Sequence, residues 1–323
     1  MPAPAAKLSA VKTGSLAEVR AQVGPEDLAW RDSWGCSLLF VAAGRGAGTA
    51  EEALEVCRYL VEEIGMDVSL AGGPHTLLQT PLFYAASTGF PEVAGYLLDR
   101  GASIQAVDNQ GQTALFWAAA NFNLPTLELL LSRGGDPLKT DRSGKSALFF
   151  AAMDPRRGLP PVPPATQCQC LRLLLQARCP ADSTDSIGQT PLFWAAKTVP
   201  EKAECLLEHG ATVNLRDGHG QTALLYAVVH AHARAAADAC RLLLERRADP
   251  NLGRPTPFSQ LAARPELVEA FEPYGYREFL AREAAAPVNR VPGGAVPPAR
   301  RPAPKAALPA AEPPVLRHRR PGA

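Results

Sequence analysis

Apolar and polar positions recur along this chain as a block, not as one continuous stripe. The stretch Gly111-Gln112-Thr113-Ala114-Leu115-Phe116-Trp117-Ala118-Ala119 passes from a polar turn through a threonine into an unbroken apolar run. Leu127, Leu130 and Leu131 follow at helical spacing, which predicts a second helix packed behind the first. Copies of the block stand at 79–86, 144–152, 188–196 and 220–227, with a worn copy at 35–43 and a weak one at 255–263. Their Ser or Thr anchors fall at 37, 80, 113, 146, 190, 222 and 256, spaced by 43, 33, 33, 44, 32 and 34 residues. A period near 33 with two insertions of about ten residues predicts a stacked array of helix pairs.

Each part of the block has a local reason. Thr113 is placed to cap a helix with its hydroxyl. Pro81 and Pro191 fall at the first helical position, where no N–H is needed. The paired alanines keep the first helix thin, and Gly101 and Gly210 are stop signals. Asp108-Asn109-Gln110-Gly111 is a turn leading to the next unit. The run Thr-Pro-Leu-Phe-Trp/Tyr-Ala-Ala resembles the Thr-Pro-Leu-His-x-Ala-Ala core of the ankyrin repeat family, over roughly residues 7–270. The resemblance implies an all-α solenoid of helix-turn-helix units joined by β-turn hairpin loops, with a concave groove that binds a protein. The family's histidine is Phe83, Phe116, Phe149, Phe193 and Leu225 here. These residues are read as core in place of a hydrogen-bonded network, not as a binding strip.

Composition adds less. Of 323 residues, those from 285 on hold seven basic and one acidic, a net of +6, which leaves −5 for 1–284. No apolar run approaches the ~20 residues of a membrane helix, and the N-terminus lacks a secretory core. A cytoplasmic address, or a nuclear one, is expected. Cys57, Cys170, Cys205 and Cys240 recur at matching places in second helices, as small buried hydrophobes rather than a disulfide framework. Cys168, Cys170 and Cys179 do not have a zinc spacing, so no metal and no cofactor is expected.

The expected organisation is a flexible lead at 1–6, an array at 7–283 of about six to seven units, and a disordered basic Pro/Ala-rich tail at 284–323. From 285 the tail holds ten prolines and no aromatic. The loop at 44–48 is glycine-rich but lacks a Gly-Lys-Ser/Thr ending, so it reads as a connector and not a phosphate cradle. A Pro-rich insertion at 154–166 separates the helices of one unit. Within it, Arg157, Leu159, Pro160 and Pro163 match R-x-L-P-P-x-P, a ligand class of Src-homology-3 domains, or form only a solvated linker. The alanines of 231–237 should lengthen helices rather than open a loop.

No catalytic constellation emerges: Asp108, Asp141, Asp185 and Asp217 repeat in register and serve turns. Function is therefore sought in the groove, at Trp34, Arg45, Leu77, Gln79, Asn109, Gln110, Gln112 and Asn121. Further along it, Arg142, Lys145, Ile187, Gln189, Lys197, His219 and Gln221 continue the set. Its mixed charge suits a protein interface and not nucleic acid. A monomeric, non-enzymatic adaptor or scaffold is expected. The alternatives are a basic tail that contacts nucleic acid or acidic membrane, and a regulatory subunit that inhibits an enzyme through the groove.

Overall fold

The computed structural model describes residues 4–45, 49–154, 162–231 and 233–285. Helices α1 (Pro4–Thr13) and α2 (Leu16–Gln22) form the first pair, followed by α3 (Leu38–Ala43) with α4 (Ala50–Arg58). Next come α5 (Pro81–Thr88) with α6 (Pro91–Asp99), α7 (Ala114–Ala120) with α8 (Leu124–Ser132), and α9 (Ala147–Ala152) with α10 (Pro164–Gln176). The last regular pairs are α11 (Pro191–Ala196) with α12 (Pro200–Glu208) and α13 (Ala223–His230) with α14 (Ala233–Glu245). Three short helices close the array: α15 (Pro257–Gln260), α16 (Val268–Phe271) and α17 (Tyr276–Ala285). No strand forms among the described residues; isolated bridges Thr140–Ser146 and Arg216–Thr222 mark two hairpins. The fold is an all-α stack of helix pairs.

The stacking follows from the block. Ala85, Ala86, Ala118, Ala119, Ala151, Ala152, Ala195 and Ala196 are wholly buried, so consecutive first helices approach closely. Phe83, Phe116, Phe149, Phe193 and Leu225 are also buried, so the residues that stand in for histidine are core, as read. Behind them, Leu97, Leu130, Leu174, Leu206 and Leu243 line the second layer beside Cys57, Cys170, Cys205 and Cys240, and all seven cysteines are free thiols.

The caps are only partly as expected. The hydroxyls of Ser15, Ser37, Thr222 and Thr256 accept amide hydrogen bonds at their helix starts. Those of Thr113, Ser146 and Thr190 are buried and accept nothing among the described residues. The amide of Phe116 donates to the Thr113 carbonyl at 3.1 Å, and Phe149 and Phe193 repeat this at Ser146 and Thr190.

Two boundaries shift. Helix α1 starts at Pro4, so residues 4–6 are helical where a flexible lead was expected. Helix α10 starts at Pro164, inside the expected insertion, because Pro164 occupies a first-turn position. Residues 155–161, which include Arg157, Leu159 and Pro160, lie outside the described residues, as do 286–323 of the expected tail. Pro163 is exposed at φ −56° and ψ 139°. Helix α14 is long, as the alanines predicted.

Candidate functional site

The hairpins between units are built by one aspartate each. Asp108 Oδ1 accepts from the amides of Gln110 and Gln112 at 2.8 and 3.0 Å, and Asp141, Asp185 and Asp217 repeat the pattern two and four residues on. The glycines that close these turns, such as Gly111 at φ +81°, occupy the left-handed region that other residues avoid. Hairpins then join one another through the backbone. Asn109 N donates to Leu77 O at 2.8 Å, Arg142 N to Gln110 O at 2.9 Å, and Gly218 N to Ile187 O at 2.7 Å.

The second aspartate oxygen links neighbouring units. Gln79 Nε2 donates to Asp108 Oδ2 at 3.4 Å, Gln112 Nε2 to Asp141 Oδ2 at 3.3 Å, and Gln189 Nε2 to Asp217 Oδ2 at 3.2 Å. Lys145 stands in for the glutamine ahead of α9. Its Nζ lies 3.3 Å from Asp185 Oδ2, an ion pair whose geometry falls short of a hydrogen bond.

These contacts correct five of the expected groove residues. Gln79, Gln112 and Gln189 are buried because their amides are committed to the next unit's aspartate. Asn121 is buried with its Nδ2 donating to Ser87 O and Oγ, so it ties two first helices together. Arg45 is 3% exposed and donates through Nη2 to Gly14 O at 2.6 Å. None of the five stands exposed at a rim, and of them Arg45 keeps two donors, Nε and Nη1, without a hydrogen-bond partner among the described residues. By contrast Trp34, Gln110, Arg142, Ile187 and His219 are exposed at hairpin tips, and Leu77, Asn109, Lys145, Lys197 and Gln221 are half-buried.

One set escaped the sequence reading. Four residues after the Ser/Thr anchor, five consecutive units carry Tyr84, Trp117, Phe150, Trp194 and Tyr226, each open to solvent in part. Successive helix residues point about 100° apart, so of two adjacent aromatics one lies nearer the open side of the helix. That rule was the available signal. Trp117 Nε1 donates to Asp108 Oδ2 at 3.4 Å, which anchors the ring against its hairpin. Lys145 and Lys197 lie 5.9 and 4.9 Å from the Trp194 ring centroid, positions suited to cation–π attraction. Tyr226 meets Trp194 edge-on at 6.3 Å and packs on His230 at 4.4 Å. Burial, reinforced by Lys197, holds His230 below its ordinary pKa of 6.5, so it is neutral at pH 7. Hairpin residue, aromatic ring and helix end therefore share one face.

The ankyrin repeats family matches this chain as three copies over residues 8–108 and 165–254, and a single ankyrin repeat matches at 110–142. The chain belongs to the ankyrin repeat family. The unmatched stretch between 142 and 165 contains most of the insertion, yet α9 and the Lys145–Asp185 pair keep the repeat geometry there. The crystal structure of the ankyrin repeat domain of Bcl-3, described as a unique member of the IkappaB protein family, superposes with a TM-score of 0.53 at 27% identity. The alignment covers 73% of this chain and 98% of that domain. No curated protein matches.

Among the described residues, no group of three or more His, Cys, Asp and Glu side chains could hold a metal ion. No described helix is long and apolar enough to cross a membrane.

Proposed function

We propose that this ankyrin array is a non-enzymatic scaffold that holds a segment of a partner protein along its hairpin and first-helix face. Ankyrin repeats generally bind proteins, and the face that does so in such arrays is the concave one. The observation that carries the reading is the aromatic row from Tyr84 to Tyr226. Repeat packing seals the alanines and a Phe or Leu in each of these first helices. The aromatic that follows packs one edge on the neighbouring unit, as Phe150 does on Phe116 at 5.5 Å, and stays partly open to solvent in five units running. Aromatics interleaved with Gln110, Arg142, Lys145, Lys197 and His219 match the composition of protein interfaces, where large rings anchor and polar groups orient.

The test compares partners retained by the intact chain with those retained by an Arg142→Glu, Ile187→Asp, Trp194→Leu variant. Loss of specific partners by a variant that melts with the parent supports the reading. Equal retention by both would remove this face from consideration. Salt dependence separates the tail alternative, because binding through the +6 segment should weaken steeply with ionic strength while groove binding should not.

A further inference from the structure

A hollow of about 680 Å³ lies near the N-terminal end of the array, between α1, the loop before α3, and α5. Its walls are aromatic and aliphatic: Leu8, Trp30, Trp34, Phe40 and Tyr84 line it. Trp34 is 59% exposed at its hairpin tip, and Tyr84 begins the aromatic row, so the hollow opens onto the face described above. Phe40 and Tyr84 pack with centroids 4.5 Å apart, which makes a stiff back wall.

The charges around it are one-sided. Lys12, Arg31 and Arg45 border the hollow, and none of the three has a carboxylate within ion-pair distance among the described residues. Arg31 Nη1 donates only to the backbone carbonyls of Leu28 and Trp30. The one acid present, Asp32, uses Oδ1 to hold the amides of Trp34 and Cys36, both at 2.8 Å.

Arg45 decides the argument. Among the described residues it is a buried cation with no counter-charge, and its Nε and Nη1 have no hydrogen-bond partner. A buried guanidinium with unused donors and no counter-charge is costly; Nε and Nη1 lie on different edges of the group, so a carboxylate takes one of them and supplies the missing charge. Neither nitrogen reaches the surface, so a small turn of the side chain at the floor of the hollow must accompany binding.

We propose that this hollow is the anchor pocket for a partner's peptide segment in which an aromatic or branched aliphatic side chain stands beside an Asp or Glu. The apolar side chain enters between Trp34 and the Phe40–Tyr84 wall, and the neighbouring carboxylate meets Arg45 with Lys12 and Arg31 at the rim. This deepens the groove reading and rests on it. A peptide is favoured over a small molecule because the hollow continues into the hairpin face.

The test is selection of a random peptide display library on the intact chain, followed by titration of the enriched peptides. Enriched sequences should pair an acid with a large apolar residue. Arg45→Met should weaken them at least tenfold, Arg45→Lys less, and the exposed change Lys12→Gln measurably. Replacing the peptide's Glu by Gln should cause a similar loss, a readout that does not depend on any variant folding. Enriched peptides without acids, or peptides indifferent to both the Glu→Gln change and Lys12→Gln, would overturn the proposal. If such peptides are lost instead on Trp194→Leu, the groove reading stands while the anchor pocket falls. If nothing is enriched, both fall.

Discussion

Lys202 offers the sharpest check on the packing of this array. It is wholly buried in α12, where its Nζ donates to Met153 O at 2.5 Å and lies 4.6 Å from the Phe122 ring centroid. No carboxylate is within ion-pair distance among the described residues. Burial therefore dominates, and with Asp154 opposing only in part, the pKa falls from 10.5 to about 8. The sign follows directly. Below pH 8 the ammonium is charged in both states, and the folded state bears the full penalty of burying it. Between about 8 and 10.5 the folded protein has released the proton while the unfolded chain still holds it, so stability rises with pH. From pH 7 to pH 9.5 that rise amounts to about 2 kcal/mol. Lys202→Met keeps the volume and lacks the titration. It also leaves Met153 O without its donor, a loss of about 1 kcal/mol that does not depend on pH.

The assay is urea unfolding of both proteins at pH 7 and pH 9.5. Relative to the parent, the variant should lose about 2 kcal/mol on going to the higher pH. The buried thiols act the other way. Burial pushes Cys57, Cys170, Cys179 and Cys240 up to about 12, so the folded state keeps protons that the unfolded chain sheds near 9, and both proteins weaken at alkaline pH. That common loss largely cancels in the comparison. A difference between variant and parent that stays constant across the two pH values refutes the burial argument.

Three further outcomes are expected. Leu130→Ala removes a wholly buried leucine and should cost roughly 2–5 kcal/mol, measured by denaturant midpoint. Asp141→Ala removes an acceptor for the amides of Ser143 and Lys145, the Ser143 hydroxyl and Gln112, and should cost about 1–3 kcal/mol beyond an exposed control such as Asp238→Ala. A peptide spanning 154–166, titrated against Src-homology-3 domains beside its Arg157→Ala, Pro160→Ala form, should bind on the order of micromolar only when unsubstituted. Equal binding of the two forms, or none, makes the segment a linker.

The helix pairs, the turn aspartates and the buried aromatics in the histidine position were legible along the chain. They are set by contacts within a unit or at a fixed repeat distance, and a period of about 33 residues prints such constraints again and again. What the linear pattern could not assign was the direction in which a polar residue reaches. Gln112 looks like an exposed turn residue until Asp141, 29 positions on, is brought beside its amide. Arg45 reads as a groove residue and Lys202 carries no mark in the sequence, yet the backbone of Gly14 and Met153, 31 and 49 residues away, closes over them. The aromatic pairs of α5, α7, α9 and α11 were visible, but only the stacking of neighbours decided that Phe116 is sealed and Trp117 left partly open. Burial belongs to the space between units, and in a solenoid that space exists only once the units are stacked.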